Sequence, residues 1–219
     1  HSMGGQTIRT LTQLLSKGSE EEINCGQENI SPLFEGGKHW IHSVSTISTP
    51  NDGTTLSDLM PAKDLISYTF GVLGTITGKN KLFSSIYDLK LDQWGLKKQS
   101  GESQRDYIER VLESNIWNST KDISTYDLST EGAQELNTWV KAQPDVYYFS
   151  WTTQATKESI LTGHSVAQIG PMNPIFYPTA NLMGKYSRNK KDLPIIDKKW
   201  FPNAVSYTHL RAHETLANL

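Results

Sequence analysis

Apolar residues near the start of the chain recur every three or four positions. This helical spacing is shared by Ile8, Leu11, Leu14 and Leu15. Lys17 and Gly18 close the pattern, because a cation suits the last turn of a helix and glycine can adopt the left-handed cap. Ser19 and Glu22 have the spacing of a capping box. The sequence therefore predicts a long amphipathic helix followed by a short second one.

Two later stretches have the character of strands. Residues His42 to Thr49 are largely β-branched and alternate, and Pro50 to Gly53 then supply turn-forming residues. The near-continuous apolar run from Val146 to Trp151 is typical of a buried parallel strand.

Helical patterns separate these two strands. Residues 105–114 form one, with the apolar positions Tyr107, Ile108, Val111 and Leu112. Residues 131–141 form another, with a predicted buried face of Leu136, Trp139 and Val140. Helices alternating with strands predict the α/β class, with a mostly parallel sheet.

The segment from about residue 56 to 86 is apolar and contains glycine, with helical spacing through Leu65, Tyr68, Val72 and Ile76. It has two interpretations on the residues alone. It can be a helical insertion packed on the sheet, or an apolar helical cover over a binding site, since exposed and core apolar helices share one pattern.

Composition excludes several classes of partner. The 21 basic and 23 acidic residues form no basic stripe, which argues against nucleic acid. The longest nearly apolar stretch is too short to span a bilayer. The single cysteine, Cys25, excludes an internal disulfide. His1 is not a translation start, so the absence of a signal peptide leaves secretion open.

Ser2 is the strongest candidate for chemistry. It precedes Met3, Gly4 and Gly5 at the start of the first predicted helix. In one interpretation Ser2 caps that helix, and the glycines permit close packing. In the other, Ser2 is the nucleophile on a strained strand-to-helix turn, where the next backbone amide can stabilise an oxyanion. The residues alone leave both interpretations open.

Six blocks, in one order, carry a resemblance to a known family. They are His-Ser-Met-Gly-Gly-Gln-Thr from His1, Ser-Pro-Leu-Phe-Glu-Gly-Gly from Ser31, Thr-Pro-Asn-Asp-Gly-Thr from Thr49, Leu-Asp-Gln-Trp-Gly-Leu from Leu91, Tyr-Asp-Leu-Ser from Tyr126 and Leu-Thr-Gly from Leu161. Over residues 1–203 the chain resembles the lipases of thermophilic bacilli and staphylococci. The family usually has His where this chain has Asn51.

The resemblance implies a partial α/β-hydrolase fold over residues 1–203, namely the C-terminal part of its sheet with a helical lid at about 56–86. It implies that Ser2 is the acyl-enzyme nucleophile and that the backbone of Met3 donates to the oxyanion. It further implies a secreted triacylglycerol lipase that acts on lipid esters at an oil–water interface. The alternatives are another serine esterase, a phospholipase, or a non-catalytic protein that binds an anion at the Gly-Gly helix start.

The resemblance ends near Asn203. The family continues with Asp-Gly, and that Asp is the triad acid, whereas this chain has Ala204 and Val205. Residues 205–215 resemble a translated sequencing adapter, so we expect residues 204–219 to be non-native. With the triad Asp and His missing, we expect this polypeptide to be inactive.

No residue within the chain is an evident replacement for the missing triad Asp and His. Asp52 is better explained as a turn residue. His39, His42 and His164 have no evident role as a base.

The family also carries zinc and calcium. By resemblance Asp122 is one zinc ligand, and the backbone carbonyl of Gly170 is one calcium ligand. The other zinc ligands lie upstream of this chain, the calcium carboxylates lie downstream, and Pro171 departs from the family pattern. We therefore expect this chain to bind neither metal.

Overall fold

The computed structural model describes residues 1–26, 28–61, 63–65, 67–68, 91–119, 121–151 and 154–185. Its helices are α1 (Gly4–Lys17), α2 (Glu20–Ile23), α3 (Thr55–Leu59), α4 (Gln104–Glu113), α5 (Ile116–Ser119), α6 (Ser124–Asp127), α7 (Thr130–Trp139) and α8 (Tyr177–Gly184). Its strands are β1 (Ser43–Ile47), β2 (Tyr147–Trp151), β3 (Thr156–Glu158) and β4 (Ser165–Ala167). Single 3-10 turns occur at Pro32–Glu35, Asp92–Trp94 and Pro174–Phe176.

The α/β class is confirmed, with helices and small sheets in the described chain. The strands β1 and β2 pair in parallel, with Ser43 opposite Tyr147 and Ile47 opposite Trp151. The strands β3 and β4 form a separate antiparallel pair. Most of the predicted lid, and the tail at residues 204–219, lie outside the described residues.

The chain forms two compact units. One comprises residues 1–59 together with the chain from residue 127 onward, and the other comprises residues 60–126. The first unit contains the β1–β2 sheet, with α1 packed against β1. The second contains α4, on which Tyr107 and Val111 are buried as the helical pattern predicts.

The ends of α1 and the start of α2 largely follow the sequence prediction. Helix α1 ends at Lys17, and Ser19 Oγ accepts a hydrogen bond from the amide of Glu22 at 3.4 Å. Gly18 has a positive φ of 74° but an extended ψ of −165°, so it is not the left-handed helical cap that was predicted. Gly18 also lies directly against the backbone carbonyl of Phe34, where a Cβ atom would not fit.

The buried face of α1 differs from its apolar pattern. Its most buried residues are Gly5, Gln6, Thr12 and Leu15, whereas Ile8, Leu11 and Leu14 are half-buried. Small and polar side chains allow the helix to approach β1 and the segment after it, which a larger apolar residue would prevent. A hydrophobicity pattern does not register this kind of close packing.

The predicted burial of β2 is wrong in the described chain. Val146 is buried, but Tyr147, Phe149 and Trp151 are 64%, 50% and 63% exposed. These alternate residues share one face of the sheet with Ile47, which is 50% exposed. Helix α1 packs against β1, where Val44 and Thr46 are buried, and no described element buries the aromatic face.

Helix α7 also corrects one predicted contact. Ala133 and Val140 are buried, whereas Trp139 is 45% exposed and Leu136 is half-buried. Ala133, Leu136 and Val140 follow the three- and four-residue steps of one helix face. Trp139 lies about 100° around the helix from Val140, so it points away from that face.

Candidate functional site

Ser2 has a strained backbone at the carboxyl end of β1. Its φ is 52°, and among the described residues only Ser48 shares a positive φ without being glycine, with 48°. The amide of Ser2 donates to the carbonyl of Ile47, the last residue of β1, at 3.2 Å. A left-handed conformation costs an ordinary residue about 1–2 kcal/mol. Such strain is concentrated at functional sites, where the surrounding fold enforces it.

Ser2 does not cap α1. The N-cap is Met3, whose backbone is already helical, and no side chain makes a capping hydrogen bond there. The interpretation of Ser2 as a capping residue is therefore wrong. Ser2 lies at the helix entrance, one residue before the cap.

The glycine amides at this helix start already have acceptors. The amide of Gly4 donates to the carbonyl of His1 at 3.0 Å, and that of Gly5 donates to the carbonyl of Ser2 at 3.1 Å. An anion bound by the Gly-Gly pair would have to compete with these bonds. The geometry therefore disfavours the anion-binding alternative.

The segment after β1 packs against the first turn of α1. A Cβ placed on Gly5 would overlap the side chain of Thr49, which is itself buried. The Nε2 atom of Gln6 donates to the carbonyl of Pro50 at 3.1 Å and to that of Asp127 at 3.1 Å. None of these three contacts was predicted from the sequence. Only the small size of Gly5 gave a signal, because glycine permits close packing.

A polar network extends this contact along α1. The guanidinium of Arg9 donates to Oδ1 of Asn51 at 3.2 Å and to Oδ1 of Asn137 at 2.7 Å. Asn137 Nδ2 in turn donates to the carbonyl of Asn51 at 2.8 Å. Burial lowers the pKa of Arg9 from its ordinary value, while Tyr148 opposes that shift. Asn51 thus joins α1 to α7.

A histidine–carboxylate pair lies at the opposite end of the sheet. His39 Nδ1 is 2.5 Å from Asp145 Oδ2, and this hydrogen bond is the main reason that the pKa of Asp145 is lowered. The two residues precede β1 and β2, whereas Ser2 contacts the end of β1. The five residues of β1 span four residue-to-residue steps, so the two ends of the strand are about 13 Å apart. The pair therefore cannot act on the Ser2 hydroxyl.

The other internal candidates keep structural roles. Asp52 lies in a turn closed by a 3.0 Å hydrogen bond from the amide of Gly53 to the carbonyl of Pro50, as predicted. His42 packs edge-on against the ring of Tyr147 at 5.6 Å. The carbonyl of His164 accepts from the amide of Ser159 between β3 and β4. None of the contacts described here for His42 and His164 involves Ser2.

The predicted metal positions are both exposed. Asp122 lies on the surface just before α6, and Gly170 has a φ of 102° in an exposed turn. Zinc requires about four N, O or S ligands, and no group of three or more His, Cys, Asp or Glu residues able to hold a metal occurs in the described part of the chain. We assign no chemical step to a metal.

Comparison with known proteins gives one consistent family. A family model described as "Lipase-like, C-terminal domain" matches residues 1–198. Lipase 1 of Staphylococcus aureus strain MRSA252 is 42% identical over 189 residues, which is 84% of this chain and 27% of that protein. The chain therefore spans about a quarter of the length of this curated relative.

Solved structures agree with this. The structure of EstA from Clostridium botulinum is 97% identical, with a TM-score of 0.83, over 92% of this chain and 47% of that chain. The structure of lipase 1 from Pelosinus fermentans is 51% identical, with a TM-score of 0.68, over 91% of this chain and 52% of that chain. In the part of the chain that the structure describes, no helix has the length and apolarity needed to cross a membrane.

Proposed function

The chain belongs to the family of lipase-like C-terminal domains, and we propose that it carries the nucleophile of a triacylglycerol lipase, with Ser2 as that nucleophile. The observation that carries the proposal is the φ of 52° at Ser2, which lies two residues before α1 and is hydrogen-bonded to the end of β1. A nucleophile elbow needs this geometry, because the strained turn projects the hydroxyl beyond the sheet at a helix start.

We further propose that the two units are parts of an α/β-hydrolase fold. Support comes from the parallel pairing of β1 and β2 and from Ser2 at their carboxyl end. In open α/β sheets, ligands bind beyond the carboxyl ends of the strands. The similarity to the structure of lipase 1 from Pelosinus fermentans, at 51% identity, agrees with that arrangement.

In the proposed reaction Ser2 Oγ bonds to the carbonyl carbon of the ester. The proton of Ser2 passes to a general base, and the carbonyl oxygen becomes an oxyanion. The amide of Met3, which follows Ser2 directly, donates to that oxyanion. A donor of this kind contributes about 3–4 kcal/mol to the transition state.

Collapse of this intermediate breaks the bond to the alcohol oxygen, which leaves as the alcohol with the proton from the base. Water then hydrolyses the acyl-enzyme and releases the fatty acid. We assign the base and its orienting acid to parts of the longer relatives beyond the span of this chain. The His39–Asp145 pair is at the wrong end of β1, and loss of even one triad partner lowers turnover by about 10⁴-fold or more. The 219-residue polypeptide is therefore expected to hydrolyse esters no faster than its Ser2→Ala variant.

We propose long-chain lipid esters at an oil–water interface as the substrate and a secreted location for the longer protein. The support is that the relatives are named lipases. The acyl-chain preference of the full-length protein tests this directly. A lipase hydrolyses emulsified long-chain triacylglycerol, whereas a general esterase prefers short soluble esters. A preference for phospholipid over triacylglycerol would replace the lipase assignment with a phospholipase.

The nucleophile is tested in a chimera in which this chain replaces its matching 47% of EstA. We expect a fluorophosphonate probe to label the chimera at Ser2 and to leave the Ser2→Ala variant unlabelled. Ser45→Ala is the matched control, because Ser45 lies in β1 with its side chain exposed. Labelling that persists in the Ser2→Ala variant would reject Ser2 as the nucleophile.

A further inference from the structure

Gln6 stands out as a polar side chain with long-range contacts beside the proposed nucleophile. It is 3% exposed and belongs to α1, about one helical turn along the chain from Ser2. Its Nε2 atom donates to the carbonyl of Pro50, 44 residues away, and to that of Asp127, 121 residues away. One amide group thus joins the first turn of α1 to the segment after β1 and to the segment before α7.

The amide orientation of Gln6 is fixed by these two contacts. Both neighbours are carbonyl oxygens, so the atom facing them must be the nitrogen. The other atom, Oε1, is buried without a hydrogen-bond partner among the described residues. A buried acceptor without a partner costs about 1–3 kcal/mol. The two hydrogen bonds donated by Nε2 are therefore the contacts that hold this amide in place.

The contacts of Gln6 belong to a short run that follows the Ser2 turn. Ile47 accepts the hydrogen bond from the amide of Ser2, Thr49 lies against Gly5, and Pro50 accepts from Gln6. Ile47, Thr49 and Pro50 thus contact Ser2, Gly5 and Gln6 in the same order along the chain. Ser48, at the centre of this run, has the second positive φ outside glycine.

We propose that Gln6 is a positioning residue that sets the location of the Ser2 hydroxyl through these two hydrogen bonds. The inference rests on the proposed function, because it assumes that Ser2 is the nucleophile. Without the bonds, the first turn of α1 is held to Pro50 and Asp127 by packing alone. Small displacements of a reacting atom are costly, since about 1 Å can lower a rate by about 100-fold.

The test compares two identical substitutions in the EstA chimera. Gln6→Met removes the two donors but keeps the side-chain length. Gln143→Met is the matched control, because Gln143 is 4% exposed and its Nε2 also makes two hydrogen bonds, to Oε1 of Gln13 and the carbonyl of Lys141. We expect Gln6→Met to lower kcat by about 10- to 100-fold with KM within about twofold, and to slow fluorophosphonate labelling of Ser2. Gln143→Met should lower the melting temperature with kcat unchanged.

Gln6→Asn serves if Gln6→Met does not fold, because it retains the amide but shortens its reach. We expect its kcat to lie below that of the parent chimera. A kcat for either folded Gln6 variant equal to that of Gln143→Met would overturn the positioning role and leave Gln6 a structural residue. If the Ser2→Ala chimera still turns over ester, the nucleophile assignment fails instead, so the two failures are distinguishable.

Discussion

Gly5 lies directly against Thr49, with no room between them for a Cβ atom. Gly5 is in the first turn of α1, and Thr49 is two residues beyond the end of β1. The neighbouring Gly4 has open space around it. Two adjacent glycines in one helical turn therefore have different roles, and only Gly5 is required by packing.

Gly5→Ala is expected to destabilise the protein by about 1–3 kcal/mol, because an added methyl group in a filled space forces neighbours apart. Gly4→Ala is the control and should be neutral or stabilising by up to about 1 kcal/mol, since alanine favours the helix. Urea unfolding of the two variants in the EstA chimera measures both values. Equal midpoints for the two variants would contradict the close contact at Thr49.

The strain at Ser2 predicts a difference between two inactive variants. Ser2→Gly and Ser2→Ala both remove the hydroxyl, and each should lower kcat by about 10⁴-fold or more. Glycine adopts a positive φ freely, whereas alanine retains the strain. We therefore expect Ser2→Gly to melt at a higher temperature than Ser2→Ala. A calorimetric scan in which Ser2→Ala melts higher would show that the turn is not strained.

The sequence predicted the elements around this site better than the contacts that build it. Helix α1 and strand β1 follow from spacing, because amphipathic periodicity depends on local chain geometry. The resemblance singled out Ser2, but its positive φ depends on hydrogen bonding to Ile47, 45 positions away along the chain. Gln6 carries no local signal, since its partners are backbone carbonyls whose positions only the folded chain determines.

The wrong prediction for β2 has a related cause. Apolar character in residues 146–151 reports a tendency to be buried, but burial also requires an element to cover the strand. In the described chain the partner β1 fixes the register of β2, and its aromatic face stays exposed. Similarly, Trp139 is apolar but lies off the contact face of α7.

Asn51→Asp is expected to stabilise the protein near neutral pH. Oδ1 of Asn51 already accepts from Arg9, and a carboxylate there would pair with a partly buried guanidinium. Charge-assisted hydrogen bonds are about twice as strong as neutral ones, so we expect a gain of about 1 kcal/mol. The pKa of the new Asp should be lowered, which means that the gain is present above about pH 4 and is lost as the pH falls. Urea midpoints at pH 7 and pH 3 check this, with Asn51→Leu as the control that loses the bond at both pH values.

An acid-sensitive ion pair is expected in the unit that contains α4. Arg110 donates from Nε and Nη2 to the two carboxylate oxygens of Glu102 at 2.8 and 2.9 Å, and these bonds, followed by one from the amide of Gln99, lower the pKa of Glu102 from 4.5 to about 2. A carboxyl group with a lowered pKa stabilises the fold above its unfolded pKa, and this contribution is lost as the pH falls from about 4.5 toward 2. Glu102→Gln should therefore flatten the dependence of the urea midpoint on pH between 6 and 2.5. An unchanged slope would show that the pair is not formed in solution.

The aromatic face of β2 makes self-association the expected behaviour of the isolated 219-residue chain. Tyr147, Phe149 and Trp151 are each at least half exposed on one side of a short sheet, and exposed apolar strands promote aggregation. Phe149→Lys should slow the rise of light scattering, because it places a charge at the centre of this face. Ser150→Lys adds the same charge at an exposed position on the opposite side of the strand, and it should have a smaller effect. If both substitutions slow scattering equally, net charge rather than this face controls association.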